Sequence, residues 1–566
     1  MDDTGIAARV VGHVEAIWPG MDPDDRARLS NRLMDAIGIG RERLATDSAN
    51  ERWSENDVVL IAYGDSITSI QMSPLAALRN AHERHFCDAF SIVHVLPFFP
   101  YSSDRGFAVL DHREVDAALG SWDDMRDLAA AVDLMVDLVA NHASTESRWF
   151  AEFLSDEDPG RSYFVTASPD DDLSAVVRPR SQPLLTSADT KSGERWVWTT
   201  FGADQADLDW SNPDLVCEML DIIDLYVDAG ARLLRLDAIA YLWKEQGTSC
   251  VHLRQTHEFV KLLRSLLQLR EPRAALVTET NVPDDENRSY FGDGDEAHVV
   301  YNFTLPPLLV DAVINERADR LGAWLQSTPP PPHGCTTLNF LSSHDGIGLR
   351  PAEGLLNRRE IQRLVDVTHE RGGLHSDYDR QGVPTPYELN ISLPDLFGGP
   401  DDEHMVARVI VAHSIVLVLA GIPAVYVNSL LATTNTPDEV EAEGVRRAIN
   451  RTRIDIDNIP DVFSDSWRAS IMSGIIRRAA IRRSSASFHP ESPQTVEVNG
   501  ALLRVARMDA DGNIVEAMFN LSSVDVQLDL SRPVRDLISG IDASGRLTLP
   551  AFGDAWLSAR ADAMRA

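Results

Sequence analysis

Residues 231–239 read ARLLRLDAI, a short apolar run that ends in charged residues, and the same pattern recurs along the chain. A near-continuous apolar run of this kind is typical of a parallel strand that is buried on both faces of a sheet. Strands of this type that alternate with helices predict an α/β protein, and eight of them predict a closed (β/α)₈ TIM barrel. The predicted strands are VVLIAYGD (58–65), SIVHVLPFF (91–99), LMVDLVANH (134–142), ARLLRLDAI (231–239), AALVTETN (274–281), HVVYNF (298–303), TLNFLSSHD (337–345) and GIPAVYVNS (421–429).

The intervals around these runs indicate further domains. The first residues alternate apolar and charged positions at helical spacing, and two later intervals are too long for simple crossovers. We therefore expect an inserted subdomain after strand three and a second insertion, a lid, after strand seven. Near the end, alternation with period two predicts an antiparallel β-domain. The predicted segments are an N-terminal helical extension (1–55), the first part of the barrel (56–142), the inserted subdomain (143–215), the second part of the barrel (216–345), the second insertion (346–404), the end of the barrel (405–489) and the C-terminal β-domain (490–566).

The composition is that of an acidic globular protein. Lys and Arg total 52 against 87 Asp and Glu, so the formal net charge is −35. Such a surface repels phosphate backbones and anionic membranes, and we expect neither nucleic-acid nor membrane partners. The N-terminus lacks the basic region of a secretory signal, and no apolar stretch is long enough to span a bilayer.

The cysteines indicate the compartment. Their wide separation, without CxxC spacing, predicts free thiols in a reducing environment and hence a cytoplasmic protein. The sequence leaves the oligomeric state open and is compatible with a homo-oligomer. The four cysteines are Cys87, Cys217, Cys250 and Cys335.

Four of the predicted strands end in charged or polar residues, where a barrel core would favour Val or Ile. Because barrel strands present their carboxyl ends at one face, we expect these residues around one pocket mouth. Several buried carboxylates repel one another and lose their hydration, which favours a functional reason over a structural ion pair. The strand ends carry Asp137 with Asn141 and His142, Arg235 with Asp237, Glu279, and His344 with Asp345.

Carboxylates in this arrangement suit the cleavage of a glycosidic bond. One carboxylate attacks the anomeric carbon while another protonates the leaving oxygen, and a separation of about 5–5.5 Å gives retention of configuration. A third carboxylate can hold ring hydroxyls and favour distortion toward the oxocarbenium ion. Arg235 precedes Asp237 by two positions on one strand, so it faces the same side and can keep that carboxylate ionised.

The chain resembles the α-amylase superfamily of retaining glycosidases (glycoside hydrolase family 13) from about residue 58 to about residue 490. The resemblance implies that Asp237 is the nucleophile, Glu279 the general acid/base and Asp345 the transition-state stabiliser. It also implies that His142 and His344 contact sugar hydroxyls. The motifs that carry it, in the family's order, are DLVANH (137–142), RLLRLDA (232–238), ETN (279–281) and SSHD (342–345).

Longer stretches resemble the sucrose-phosphorylase subfamily. This resemblance implies that Asp104 and Arg447 bind the terminal glucose, with Phe107 and Tyr241 as apolar walls. The stretches are HVLPFFPYSSDRGFAVLDHREVD (94–116), RLDAIAYLWKEQGTSC (235–250), HDGIGLRPAEGLL (344–356) and GVRRAIN (444–450). Within the subfamily, TETNVPDDENRSYFGDGDEAH (278–298) and PYELNISL (386–393) are most similar to the branch that phosphorolyses glucosylglycerate.

A phosphorylase lets inorganic phosphate take the glucosyl unit from the nucleophile. Phosphate carries about −1.5 to −2 charges near neutral pH, so beside two carboxylates it needs a cation and hydrogen-bond donors. The resemblance to the subfamily implies that Arg180 and Tyr387 contact phosphate. Arg can donate two hydrogen bonds to an oxyanion as a fork, and Tyr adds a neutral donor. Glu388 stands where sucrose-specific relatives commonly carry an amide. We therefore do not expect sucrose to be the substrate. The expected products are α-glucose 1-phosphate and glycerate.

Alternatives remain open at this point. A sucrose or glucosylglycerol phosphorylase, or a hydrolase or transglucosidase with the same triad, differs only in the leaving group or in what intercepts the intermediate. A catalytically silent binding protein should have lost one of the three carboxylates, and all are present. We expect no metal site and no organic cofactor, because the double displacement needs neither.

Overall fold

The computed structural model describes residues 3–40, 52–179, 182–380, 383–464 and 466–559. Its centre is a closed barrel of eight parallel strands, which confirms the predicted fold class. Around the barrel, each strand pairs with the strands before and after it in the chain, and the last strand pairs with the first. The strands are β1 (Val59–Ala62), β2 (Ile92–Val95), β3 (Asp133–Val139), β4 (Ala231–Asp237), β5 (Ala275–Thr278), β6 (Val299–Tyr301), β7 (Thr336–Asn339) and β8 (Ile422–Tyr426).

Helices connect the strands and begin at residues that favour helix N-termini. Ser121 forms a capping box with Asp124, and Ser73 and Asn212 each cap a helix that begins with proline. These side chains accept hydrogen bonds from the otherwise unpaired first N–H groups, and proline pre-sets the helical φ. The α-helices are Pro74–Ala81, Trp122–Ala131, Pro213–Asp228, Arg254–Arg270, Asp284–Arg288, Leu305–Ile314, Asp319–Ser327, Leu393–Leu396, Met405–Val418, Val427–Leu430, Pro437–Glu443, Ile459–Ser464 and Ser466–Arg483, with Arg148–Ser155 and Arg358–Glu370 in the two long intervals.

Within its described residues, the N-terminal segment contains two helices. Helix Asp3–Ile17 packs on Arg254–Arg270, and helix Pro23–Ala36 packs on Pro213–Asp228. Val10, Val14 and Leu33 are fully buried in these contacts. The extension therefore covers the outer side of two barrel helices. Among the described residues, no helix is long and apolar enough to cross a bilayer.

Both long intervals contain strands that follow the carboxyl ends of barrel strands. After β3, His142–Ser144 pairs with Gln205–Asp207, and a hairpin joins Leu185–Thr190 to Gly193–Trp198. After β7, a three-stranded antiparallel sheet has the order Ile347–Gly348, Val383–Asn390, Leu374–Arg380. This second sheet carries Tyr387 and Glu388 toward the barrel.

The C-terminal part is a six-stranded antiparallel sheet, as predicted. Arg478 of helix Ser466–Arg483 pairs with Asp554, and the Trp556 indole donates to the Ser414 hydroxyl, so the sheet is anchored to the barrel helices. In spatial order its strands are Gln494–Asn499, Leu502–Met508, Ile514–Asn520, Asp554–Ala559, Val526–Asp536 and Asp542–Leu549.

Candidate active site

One guanidinium joins the carboxylates that end three barrel strands. The register of β3 and β4 pairs Asp137 with Arg235. Arg235 Nη1 contacts an Asp137 oxygen and lies 2.9 Å from Asp237 Oδ1. Its Nη2 lies 3.9 Å from Glu279 Oε1. All four side chains are buried or nearly so, and they form one connected group.

The turn after β4 sets Glu279 beside Asp237. Ala238 adopts a left-handed conformation with φ of 50°, and its N–H donates to Glu279 Oε2 at 2.9 Å. Because Ala238 directly follows Asp237, this bond fixes the two carboxylates next to each other. The Arg235 guanidinium also lies over the rings of Phe107 and Tyr301, at 5.9 and 5.5 Å from their centroids.

The three carboxylates around Arg235 differ in their acidity. Burial raises the pKa of Asp237 and of Glu279, and neighbouring carboxylates raise both further, against the opposing effect of Arg235. Asp137 is also buried, but Arg235 and His94, whose Nε2 lies 2.7 Å from Asp137 Oδ2, hold its pKa below the usual value. Asp137 is therefore an ionised anchor for Arg235, whereas burial and the neighbouring carboxylates favour the protonated forms of Asp237 and Glu279.

Asp345 belongs to a second ion-pair group. Arg447 Nη1 lies 2.5 Å from Asp345 Oδ1, and Arg447 donates through Nε and Nη2 to the two Glu388 oxygens at 2.9 and 2.6 Å. Burial alone would lower the pKa of Arg447, but Asp345 and Glu388 raise it well above its usual value. The Glu388 carboxylate, which departs from the sucrose-specific pattern, is thus compensated by the cation expected to bind glucose.

Two histidines expected to contact the sugar lie against Phe107. The His344 ring stacks on Phe107 with centroids 5.3 Å apart, and His142 Nε2 donates to the Phe107 carbonyl oxygen at 3.0 Å. Burial and nearby arginines hold the pKa of His344 well below its usual value. Both His344 nitrogens are buried and have no hydrogen-bond partner among the described residues. A neutral imidazole with unsatisfied nitrogens suits a sugar hydroxyl.

The other residues that the resemblance implies for glucose binding border the same mouth. Asp104 Oδ1 lies 3.9 Å from Arg451 Nη1, and Arg451 Nε donates to the His344 carbonyl oxygen at 2.8 Å. The Tyr241 ring packs edge-on against Phe201, whose own ring lies 5.3 Å from that of His142. Tyr241 thus completes an aromatic wall beside His142, together with Phe201.

Two residues are expected to bind phosphate, and Tyr387 is the one that lies among the described residues. Asn281 Nδ2 donates to the Tyr387 hydroxyl at 3.2 Å, and Asn281 follows Glu279 by two positions. The Tyr387 ring also lies 6.1 Å from that of Tyr378, over which Arg350 stacks at 5.5 Å. The second insertion therefore reaches the end of β5. Arg180 lies outside the described residues.

Sequence reasoning missed two buried cations that hold the mouth together. Lys244 Nζ lies 2.7 Å from Asp207 Oδ2, donates to Asn141 Oδ1 at 2.7 Å and donates to the Tyr241 carbonyl at 2.6 Å. The second is Arg451. Both occur in or beside the quoted motifs, RLDAIAYLWKEQ and GVRRAINR. Apart from the Tyr241 carbonyl, the partners named here lie far away in the chain, and no local pattern indicates them. The described residues contain no group of three or more His, Cys, Asp or Glu that could hold a metal ion.

Comparison with known proteins agrees with this geometry. Residues 89–326 match the family model described as Alpha amylase, catalytic domain. A glucosylglycerate phosphorylase from Escherichia coli (strain K12) is 39% identical, over 91% of this chain and 94% of that protein. The chain belongs to the α-amylase family.

Further relatives lie among phosphorylases. A glucosylglycerate phosphorylase from Allomeiothermus silvanus is 40% identical over 89% of this chain and 91% of that protein. A sucrose phosphorylase from Agrobacterium vitis is 31% identical over 79% of this chain and 92% of that protein. The crystal structure of sucrose 6F-phosphate phosphorylase from Thermoanaerobacter thermosaccharolyticum superposes with a TM-score of 0.72 at 25% identity, covering 86% of this chain and 95% of that one.

Proposed function

We propose that the protein is a retaining glycoside phosphorylase that cleaves 2-O-α-glucosylglycerate with inorganic phosphate and releases α-glucose 1-phosphate and glycerate. The observation that carries the proposal is the buried group of Asp237 and Glu279 around Arg235, in a chain 39% identical to a glucosylglycerate phosphorylase over almost its whole length. Four free cysteines support a reducing compartment, and we place the enzyme in the cytoplasm.

In the first half of the proposed reaction, Asp237 attacks the anomeric carbon. Its 2.9 Å contact with Arg235 stabilises the ionised form, whereas Glu279 lies 3.9 Å from that guanidinium and can keep the proton. The bond from the anomeric carbon to the glycerate oxygen breaks as the Asp237 ester forms. Glu279 gives its proton to the departing oxygen.

In the second half, phosphate attacks the same carbon from the side that glycerate has left. A phosphate oxygen forms the new bond, the Asp237 ester breaks, and the Glu279 carboxylate takes a proton from the incoming phosphate. Two inversions at one carbon give net retention, so an α-glucoside yields α-glucose 1-phosphate. Both side chains return to their starting states.

Glucose binding is assigned to the residues around Phe107 and Asp345. Asp104 and Arg447 would hold ring hydroxyls, while His142 and His344 would add neutral contacts. The unpartnered nitrogens of His344 support this assignment. Asp345, held by Arg447, would stabilise the distorted ring in the transition state. Phe107 and Tyr241 would form the apolar walls.

An anionic acceptor fits the charge distribution of the second insertion. Glu388 would repel glycerate and phosphate if it were unpaired, but its bidentate contact with Arg447 compensates its charge. Tyr387 can donate to an oxyanion from its position beside Asn281. We assign Arg180 as the cation that phosphate and glycerate share in turn, with Tyr387 assisting.

The test is a phosphorolysis panel. Purified protein is incubated with glucosylglycerate, glucosylglycerol or sucrose, with and without inorganic phosphate, and glucose 1-phosphate and free glucose are measured. We expect phosphate-dependent glucose 1-phosphate chiefly from glucosylglycerate, and none from an Asp237→Asn control. If the protein prefers sucrose or glucosylglycerol, the assignment of glycerate as the acceptor is wrong. Free glucose without phosphate dependence would indicate a hydrolase.

A further inference from the structure

The loop that carries Asp104 has an unusual backbone. Asp104, Arg105 and Gly106 all have positive φ angles, of 52, 47 and 104°. Side chains other than glycine rarely occupy this region, and they remain there only when surrounding contacts hold them. At Gly106 a Cβ atom would lie 2.5 Å from the Pro97 carbonyl oxygen, so the loop is also closely packed.

Arg105 provides these contacts. It is 8% exposed, and its Nε donates to the two Glu443 oxygens at 3.0 and 3.1 Å, while Nη2 also contacts Glu443. Its Nη1 donates to the Arg451 carbonyl oxygen at 2.9 Å. The guanidinium also lies 5.8 Å from the Tyr63 ring centroid. A planar fork that binds two groups at once is the geometry that arginine supplies and lysine does not.

The two partners of Arg105 lie on either side of Arg447. Glu443 ends helix Pro437–Glu443, and Arg451 directly follows the 3₁₀ segment Arg446–Asn450. Arg105 therefore holds both ends of the segment that presents Arg447. It is also the immediate neighbour of Asp104 in the chain. In the proposed function the glucose site draws Asp104 and Arg447 from opposite ends of the barrel sequence. Arg105 connects their loops through its contacts with Glu443 and the Arg451 carbonyl, beside the longer 3.9 Å contact between Asp104 and Arg451.

We propose that Arg105 is a positioning residue for glucose recognition: through Glu443 and the Arg451 carbonyl it sets the distance between Asp104 and Arg447. This inference rests on the proposed function, in which those two residues bind ring hydroxyls. Arg105 itself contacts no substrate in this account. Its loss would loosen the site that discriminates glucose from sugars lacking one hydroxyl, and leave the attacking and proton-donating groups in place.

The experiment compares α-glucosyl fluoride with its 3-deoxy, 4-deoxy and 6-deoxy analogues, with phosphate as acceptor and fluoride release as the signal. In the wild type, removal of a hydroxyl held by Asp104 or Arg447 should lower kcat/KM about 10- to 150-fold. Arg105→Ala should reduce that discrimination about tenfold or more, mainly by raising KM for the full sugar. Arg105→Lys and Glu443→Gln should have intermediate effects, and Arg105→Ala combined with Glu443→Ala should do little more than Arg105→Ala alone.

The matched control is Arg478→Ala, which breaks another buried arginine–carboxylate pair, with Asp554, away from the site. It should lower the melting temperature and leave the discrimination unchanged. Equal slowing of all donors in Arg105→Ala, with discrimination kept, would overturn the inference and leave the proposed function standing. If the wild type neither uses α-glucosyl fluoride nor discriminates among the donors, the proposed function fails and the inference fails with it. If Arg105→Ala does not fold, Glu443→Gln tests the inference by the same measurement, the ratio of kcat/KM for α-glucosyl fluoride to kcat/KM for its deoxy analogues.

Discussion

Replacing Glu279 by Gln should separate proton donation from the rest of catalysis. The amide oxygen can still accept the Ala238 N–H bond of 2.9 Å, so the turn after β4 should keep its shape. What is lost is the proton for the leaving oxygen, a contribution of about 10²–10⁴-fold. Glucosylglycerate, with a poorly departing alkoxide, should lose that factor in kcat. α-Glucosyl fluoride needs little protonation and should lose less than about tenfold.

The pH dependence of this variant gives a second readout. Burial raises the pKa of Glu279, so wild-type activity on glucosylglycerate should persist above the usual carboxyl range and fall once the pH exceeds this raised pKa and the proton is lost. That alkaline limb should be absent in Glu279→Gln. Because Glu279 still holds its proton when Asp237 ionises in the proposed mechanism, the neutral amide should leave the acid limb close to its wild-type position.

The assay is initial-rate kinetics on both donors from acid to alkaline pH, with phosphate held constant. Circular dichroism and thermal melting check that the variant is folded. Equal losses on glucosylglycerate and on the fluoride, or an alkaline limb that survives the substitution, would refute the acid role of Glu279.

Three further substitutions test other parts of the account. Asp237→Asn removes the attacking charge with little change in shape and should abolish turnover of both donors, as followed by glucose 1-phosphate and fluoride release after deamidation is excluded by mass spectrometry. Arg180→Ala should shift partitioning of the glucosyl-enzyme away from phosphate and glycerate toward glycerol, by about 10- to 150-fold, measured as product ratios from the fluoride donor. Lys244→Met leaves the buried Asp207 carboxylate without its cation and should lower the free energy of unfolding by about 3–5 kcal/mol in urea, whereas the exposed Lys191→Met should change it little.

Much of the barrel could be predicted because its strands are buried on both faces. Such strands appear in the sequence as apolar runs, and each of the eight predicted runs overlaps one strand of the barrel. The runs overshoot the strands at their ends. The run 337–345 includes all of β7 except Thr336 and extends six residues beyond it, since the chain leaves the sheet after Asn339 and continues to His344 and Asp345. In the proposed function, this extension carries His344 and Asp345.

The contacts that organise the site could not be predicted in the same way. Arg235 could be placed beside Asp237 from their spacing on one strand, but its contact with Asp137 depends on the register between β3 and β4. The pairing of Glu388 with Arg447 joins the second insertion to a segment after β8. It follows from tertiary packing, which leaves no local signal.

The most direct test of the central claim is proton NMR of glucosylglycerate phosphorolysis from the first turnovers. A double displacement on Asp237 with phosphate as the second acceptor predicts that α-glucose 1-phosphate is the first sugar product, that its rate depends on phosphate, and that glycerate appears in equal amount. First formation of the β-anomer, or of free glucose at a rate independent of phosphate, would contradict the account.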